Sequence, residues 1–152
     1  MANTFSQIYL QFVFAVKNRQ SLIAKENKEE LHKYITGLVQ HRKSKMLAIH
    51  CMPDHTHIFV GFKPVIISDF VKEIKVESNE FIKDKNWLGK NFSWQNGYGV
   101  FSYSQSHIDN VVKYILNQEQ HHQKKTFRQE YHQLLEKFQI PFEEKYLFDF
   151  LD

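Results

Sequence analysis

Hydrophobic and polar positions along the chain predict four β-strands, at residues 6–16, 46–52, 55–62 and 98–104. The first of these stretches is rich in aromatic and β-branched side chains, which favour strands. In the third stretch, aliphatic residues alternate with two histidines, His55 and His57. Because side chains alternate between the two faces of a strand, both histidines point to the side opposite the aliphatic residues.

Apolar side chains that recur every three or four residues predict helices between and after these strands. The predicted helices cover residues 27–43 and 68–85, and two more begin near residues 106 and 126. A capping-box pattern marks three of these starts, because a residue that can cap the helix is followed three positions later by an acid or an amide. The three pairs are Asn27 with Glu30, Ser106 with Asp109, and Thr126 with Gln129.

The predicted element order is β-α-β-β-α-β, followed by two C-terminal helices. This order is typical of the ferredoxin-like α+β fold, in which a four-stranded antiparallel sheet carries two helices on one face. The histidine pair would then lie on the opposite face, which the fold leaves free. A chain of 152 residues with no internal repeat or linker predicts a single domain over residues 1–152.

Composition narrows the class of protein. A hydrophobic content of 42% and an aromatic content of 15% argue against a disordered chain. No apolar run approaches the roughly 20 residues that span a bilayer, and the N-terminus lacks the features of a signal peptide. The single cysteine, Cys51, fits a reducing compartment and a small buried side chain. We therefore expect a cytoplasmic protein, whose net charge of +3 permits nucleic-acid binding without requiring it.

Two pairs of residues are candidates for chemistry. His55 and His57 on one side of a strand are either half of a metal site or a pair of hydrogen-bond donors. Tyr114 and Gln118 are four residues apart on the third helix, roughly 120° and 80° from the centre of its apolar stripe. Tyr114 is therefore either an amphipathic residue at the rim of the core or a phenol presented to solvent beside an amide oxygen.

Four segments together resemble the small single-tyrosine, HUH-type transposases of bacterial insertion sequences, the REP-associated tyrosine transposase-like superfamily. The middle residue of the HUH triplet is nominally a bulky hydrophobe, and Thr56 takes that place here, which preserves the strand. The segments are residues 52–58 (MPDHTHI), which resemble the HUH strand; residues 94–102 (WQNGYGVFS), which resemble the segment before the catalytic helix; residues 114–118 (YILNQ) followed by His121 and His122, which resemble the tyrosine helix; and residues 127–146, which resemble the C-terminal tail.

The resemblance implies a metal-dependent transposase that acts on single-stranded DNA with hairpin ends. His55, His57 and Gln118 would bind one divalent ion, Mg²⁺ or Mn²⁺. Tyr114 would attack the scissile phosphate, which gives a covalent 5′-phosphotyrosine and a free 3′-hydroxyl. The resemblance also implies a homodimer whose active sites can combine residues of two subunits, in the bacterial cytoplasm and at the nucleoid when bound to DNA.

Two other functions remain open from the sequence: a nicking enzyme like relaxases or replication initiators, and a non-catalytic nucleic-acid-binding module. Nicking enzymes commonly carry further domains, for which 152 residues would leave no room, and a binding module leaves both residue pairs unexplained. No residue stands out as a general base that would activate Tyr114; the metal, the substrate, or His121 and His122 could take this part. Aromatic residues near the third helix could contact DNA or fill the core. They are Trp94, Tyr98 and Tyr103.

Overall fold

The computed structural model describes residues 3–88 and 91–151. Its four strands lie close to the predicted positions: β1 at Tyr9–Ala15, β2 at Lys45–Cys51, β3 at His55–Gly61 and β4 at Gly99–Tyr103. Its helices are α1 at Lys28–His41, α2 at Ile67–Asp84, α3 at Ile108–Leu116, α4 at Gln118–His121 and α5 at Phe127–Lys137.

The four strands form one antiparallel sheet in the order β2-β3-β1-β4. A short connection through Pro53 and Asp54 joins β2 to β3, as the turn-forming residues predict. Strand β3 is internal, with His57 opposite Val13 of β1 and opposite His50 of β2. The α+β fold with a ferredoxin-like core is thus confirmed, and the histidine strand lies inside the sheet.

Helices α1 and α2 bury their apolar stripes on one face of the sheet. Alternation along β3 sends Ile58 and Val60 to this face, as the sequence predicts. Each fully buried large aliphatic or aromatic side chain contributes roughly 1.5–3 kcal/mol of burial free energy. The large side chains of this layer that are at most 1% exposed are Phe12, Phe14, Leu31, Ile35, Ile58, Phe70, Ile74, Ile82 and Phe92.

The opposite face is covered as well, so the prediction that the histidines lie on a free face was wrong. Val13 and Ala15 of β1 pack with α5 and the C-terminal segment, and Phe59 of β3 packs with α3. This second face of the sheet is itself apolar, so it and the stripes of α3 and α5 leave water together. His55 and His57 are consequently fully buried.

Gly99 allows α5 to lie close to the sheet. A Cβ atom at this position would lie 2.6 Å from the hydroxyl oxygen of Tyr131 and 3.1 Å from the ring of Phe101. Real Cβ contacts are not as short as the first of these distances, so any larger residue would force the Tyr131 side chain of α5 to move. The absence of a side chain at Gly99 therefore helps to position the helix that closes over the histidines.

Only one of the three predicted capping boxes forms. Thr126 accepts a hydrogen bond from the Gln129 backbone N–H, and the Gln129 side chain accepts one from the Thr126 N–H. The Asn27 side chain makes no cap hydrogen bond, because its backbone is already helical after a 3₁₀ turn over residues 25–27. Helix α3 likewise begins at Ile108 after a 3₁₀ turn over residues 105–107, so Ser106 is not its cap.

Two expectations from composition can be compared with the structure. Cys51 is buried in the core beneath α1 and α2, and burial raises the pKa of its thiol to about 12. It is therefore a small core residue, as expected. Among the described residues, no helix combines the length and the apolar character that crossing a membrane requires.

The two kinds of helix start predict different mutational effects. Thr126→Ala should lower the free energy of unfolding by about 1 kcal/mol, because the Gln129 backbone N–H is left without its acceptor. Asn27→Ala, the matched control, should change it by only a few tenths, because the side chain makes no cap hydrogen bond. Urea denaturation followed by circular dichroism measures both values. Equal decreases for the two variants would contradict this assignment.

Candidate active site

Strand β3 places His55 and His57 two residues apart, so both rings point toward α3 and α5. Both are fully buried, and their ring centroids lie 5.1 Å apart. The ring of Phe127, the first residue of α5, stacks on His55 at 3.9 Å with an interplanar angle of 3°. The His55 ring is therefore held between the sheet and the first residue of α5.

Hydrogen bonds orient the two imidazoles. The Nδ1 atom of His55 lies 2.7 Å from the Asp54 carboxylate, and that of His57 lies 2.8 Å from the Gln11 side-chain oxygen. Because both partners are acceptors, each Nδ1 carries the proton and each Nε2 faces the site. Gln11 is itself held by the hydrogen bond that its amide donates to Tyr103. Oxygen partners of this kind orient histidines in metal sites.

Gln118 reaches the histidines from the short helix α4 of the same chain. Helix α3 ends at Leu116 and the chain bends at Asn117, so the predicted single helix is two. The side-chain oxygen of Gln118 lies 3.3 Å from His55 Nε2 and 3.0 Å from His122 Nε2. The structure thus brings His55 and Gln118 together within one chain, and His122 joins them.

Tyr114 is half-buried rather than presented freely to solvent. Its hydroxyl donates a hydrogen bond to one oxygen of Glu130, which also accepts from the Gln118 amide at 2.9 Å. The ring lies edge-on to His57, with 5.9 Å between centroids. The structure therefore brings Tyr114 to the same place as the histidines and Gln118.

Glu130 of α5 is the central residue of the site, and the sequence reasoning missed it. Its second carboxylate oxygen lies 3.3, 3.1 and 3.0 Å from the Nε2 atoms of His55, His57 and His122. The residue is only 2% exposed. The sequence does contain a sign of this role. Glu130 follows Phe127 by three residues and precedes Leu134 by four, so it lies within the apolar stripe of its helix. A carboxylate among buried positions is rare unless it is paired.

The electrostatics of the site follow from burial and from these contacts. Burial opposes the charge of Glu130, but His57, His122 and His55 outweigh it and hold the pKa of this carboxyl well below its usual range. Burial also opposes charge on His55, yet Asp54 and Glu130 raise its pKa to about 9. Burial lowers the pKa of His57. The structure thus holds a charged carboxylate against imidazoles of unequal basicity.

The pKa of the candidate nucleophile, Tyr114, shifts in the opposite direction to that of Glu130. Burial raises the pKa of the Tyr114 phenol, and the adjacent Glu130 carboxylate raises it further. The phenol is therefore protonated and acts as a hydrogen-bond donor. Attack on an electrophile would require an acceptor for its proton, and the oxygen of Glu130 already accepts its hydrogen bond.

The donor groups fit a metal ion. Ligand atoms of His55, His122 and Glu130 all lie within 4.8 Å of one another. Neighbouring ligands around an ion with bonds of about 2.1 Å lie about 3 Å apart, which is close to the distances from the imidazoles to Glu130. The Nε2 atom of His57 and the side-chain oxygen of Gln118 border the same point. Mixed imidazole and oxygen donors suit Mn²⁺ better than Mg²⁺.

The three aromatic candidates for DNA contact occupy different surroundings. Trp94 is a core residue, edge-on to Phe14, and its indole N–H donates to Ser78 at 3.0 Å. Tyr98 also packs against this core. Tyr103 differs, because its hydroxyl accepts from Gln11, the residue that orients His57. Tyr103 is thus the candidate that lies next to the site.

Two solved structures share the fold. One is a candidate transposase of Deinococcus radiodurans R1, with 22% identity, a TM-score of 0.60, and coverage of 78% of this chain and 95% of its own. The other is a REP-associated tyrosine transposase bound to a REP hairpin, with 18% identity, a TM-score of 0.60, and coverage of 80% and 73%. No curated protein matches the sequence.

The family described as "Transposase IS200 like" matches residues 4–118 of the chain. The match includes the whole sheet, both strand histidines, Tyr114 and Gln118, and it ends before His122 and Glu130. Since it covers well over half of the sequence, this chain belongs to the family of IS200-like transposases.

Proposed function

We propose that this chain is a metal-dependent transposase that cleaves and rejoins single-stranded DNA, with Tyr114 as its nucleophile. One observation carries the proposal: the Tyr114 hydroxyl and the Nε2 atoms of His55 and His57 converge on the two oxygens of one carboxylate, Glu130. A phosphate bound at the histidines would therefore lie beside the phenol. Proximity of this kind is a large part of the catalysis of phosphoryl transfer.

His55, His57 and Gln118 would hold the metal ion, with His122 and Glu130 as two further donors. When bound, a divalent ion, Mn²⁺ or Mg²⁺, would polarise the scissile phosphate and offset negative charge in the transition state. The residues of the chain supply the geometry, because Asp54 and Gln11 fix which nitrogen of each imidazole faces the site.

The proposed reaction conserves the energy of the phosphodiester. The Tyr114 oxygen forms a bond to phosphorus while its proton passes to Glu130, the partner of its hydrogen bond. The bond from phosphorus to the 3′ oxygen breaks, and that oxygen leaves with the electron pair and takes a proton from solvent. The product is a covalent 5′-phosphotyrosine, which a second 3′-hydroxyl can attack to rejoin strands.

The proposed partner is single-stranded DNA with hairpins at its ends. Support comes from the REP-associated tyrosine transposase of the same fold, which is described as bound to a REP hairpin. We also propose that residues 1–152 act as one HUH transposase domain, in the bacterial cytoplasm and at the nucleoid. A homodimer remains part of the proposal, although the candidate site is assembled within one chain.

Replacing the nucleophile gives the most direct test. Tyr114→Phe should abolish the covalent adduct that resists denaturant after incubation with Mn²⁺ and a labelled, single-stranded hairpin oligonucleotide from the DNA flanking the gene. Tyr146→Phe is the matched control, because Tyr146 is 76% exposed and lies outside the site, and it should form the adduct normally. An adduct that persists in Tyr114→Phe would refute the assignment of the nucleophile.

Removing a proposed ligand should weaken metal binding. His57→Ala should raise the dissociation constant for Mn²⁺ by at least about tenfold, an effect comparable to that of removing residues that support a metal site, and it should abolish metal-dependent cleavage. Electron paramagnetic resonance measures free Mn²⁺ directly, and circular dichroism checks the fold. The exposed His41 provides the control His41→Ala. Unchanged Mn²⁺ affinity in His57→Ala would remove this residue from the metal site.

The central carboxylate should be required for the chemical step. Glu130→Gln keeps the size of the side chain but removes its charge, so cleavage should slow by about 10²–10⁴, the range for a proton acceptor. The control is Glu136→Gln, an exposed position on the same helix. Single-turnover cleavage at saturating Mn²⁺ separates the chemical step from metal affinity. A rate equal to that of the control would exclude Glu130 from the reaction.

A further inference from the structure

A groove between α3 and α5 ends at the nucleophile. It encloses a cavity of ≈ 340 Å³. Its walls are two helical stripes in which residues recur every three or four positions, the spacing of one helix face. On α3 and the turn before it the stripe is His107, Asn110 and Tyr114, and on α5 it is Glu130, Gln133 and Lys137.

Two lysines give this groove its charge. Lys125 lies at one end, where its ammonium donates to the Gln133 side-chain oxygen at 2.6 Å. The Lys137 ammonium lies 5.8 Å from the centre of the Tyr103 ring. Among residues 3–88 and 91–151, neither lysine forms an ion pair with a carboxylate, whereas Glu130 in the groove already contacts three imidazoles through one oxygen and two hydrogen-bond donors through the other. The groove therefore presents cationic groups that are available to an anionic ligand.

We propose that this groove binds the single-stranded DNA next to the scissile phosphate, with Lys125 and Lys137 contacting backbone phosphates. The inference rests on the proposed function, because Tyr114 closes the groove. Glu130 and Lys137 are seven residues apart on α5, or about 10 Å along the helix axis, so the groove is long enough to follow more than one phosphate. Cations beside an aromatic ring, here Lys137 and Tyr103, are typical of grooves that bind single strands.

The groove offers hydrogen-bonding groups beside the apolar side chains of Val111 and Leu134, so it can contact bases as well as phosphates. Side chains with amide or imidazole groups, Asn110, Gln133 and His107, line the groove and can donate to or accept from base edges. The position of Tyr114 outside the apolar stripe of α3 places its hydroxyl in this groove, beside Glu130.

Binding can be measured without cleavage in the Tyr114→Phe background, with a fluorescein-labelled hairpin oligonucleotide that carries a single-stranded extension. Adding Lys125→Ala and Lys137→Ala together should raise the dissociation constant about tenfold at low salt. It should also reduce the slope of log affinity against log salt by about 1.4, or about 0.7 for each phosphate that a lysine no longer neutralises. Fluorescence anisotropy over a salt series gives both quantities.

The control is Lys33→Ala in the same background, because Lys33 is exposed on α1, across the sheet from the groove. It should leave both the affinity and the salt slope unchanged. If the double lysine variant behaves like this control, the groove does not hold the strand, whether or not wild-type protein forms the adduct. If both lysine effects appear but wild-type protein forms no adduct, the groove binds DNA as proposed and the proposed chemistry is wrong.

A charge test guards against a folding artefact. Lys125→Arg with Lys137→Arg retains both positive charges, so it should keep the affinity within about twofold and preserve the salt slope. Recovery of binding by arginine would show that charge at the groove holds the strand. Failure of arginine to recover binding, with circular dichroism unchanged, would overturn the assignment of these lysines as phosphate contacts.

Discussion

The site depends on the burial of one carboxylate. A charge removed from solvent is strongly unfavourable unless polar partners surround it, and Glu130 is only 2% exposed. Its partners are imidazoles on one oxygen and the Tyr114 hydroxyl with the Gln118 amide on the other. These groups come from β3, α3, α4 and the segment after α4, so satisfying this charge fixes how those elements meet.

Glu130 is buried because helices cover both faces of the sheet. Helices α1 and α2 bury one face, while α3, α5 and the C-terminal segment bury the other. Because the histidines lie beneath the second layer, their contacts act in a medium of lower dielectric than water, where charges interact more strongly. The same layer leaves Tyr114 only half-buried at the edge of α3. The protein thus combines a buried set of imidazole, carboxylate and amide groups with a phenol at the edge of the layer that covers them.

The features that the sequence predicted correctly depend on patterns between residues that are close together in the chain. Alternation along β3 correctly separated His55 and His57 from Ile58 and Val60, and the spacing of Thr126 and Gln129 correctly marked the start of α5. The role of Glu130 could not be read in this way, because two of its imidazole partners are 8 and 73 positions away and meet it only when α5 packs on the sheet. The cover over the histidine face was missed for the same reason, since it depends on where the last helices pack.

Two residues depart from the apolar pattern of their own helices, and both departures have the same explanation. Tyr114 lies outside the apolar stripe of α3, and Glu130 lies within the apolar stripe of α5. The hydrogen bond between them satisfies both at once, because it gives the buried carboxylate a donor and the off-stripe phenol an acceptor. Such departures from local pattern are expected at functional sites, where stability is given up for chemistry. Here the departures coincide at the point where the groove meets the histidines.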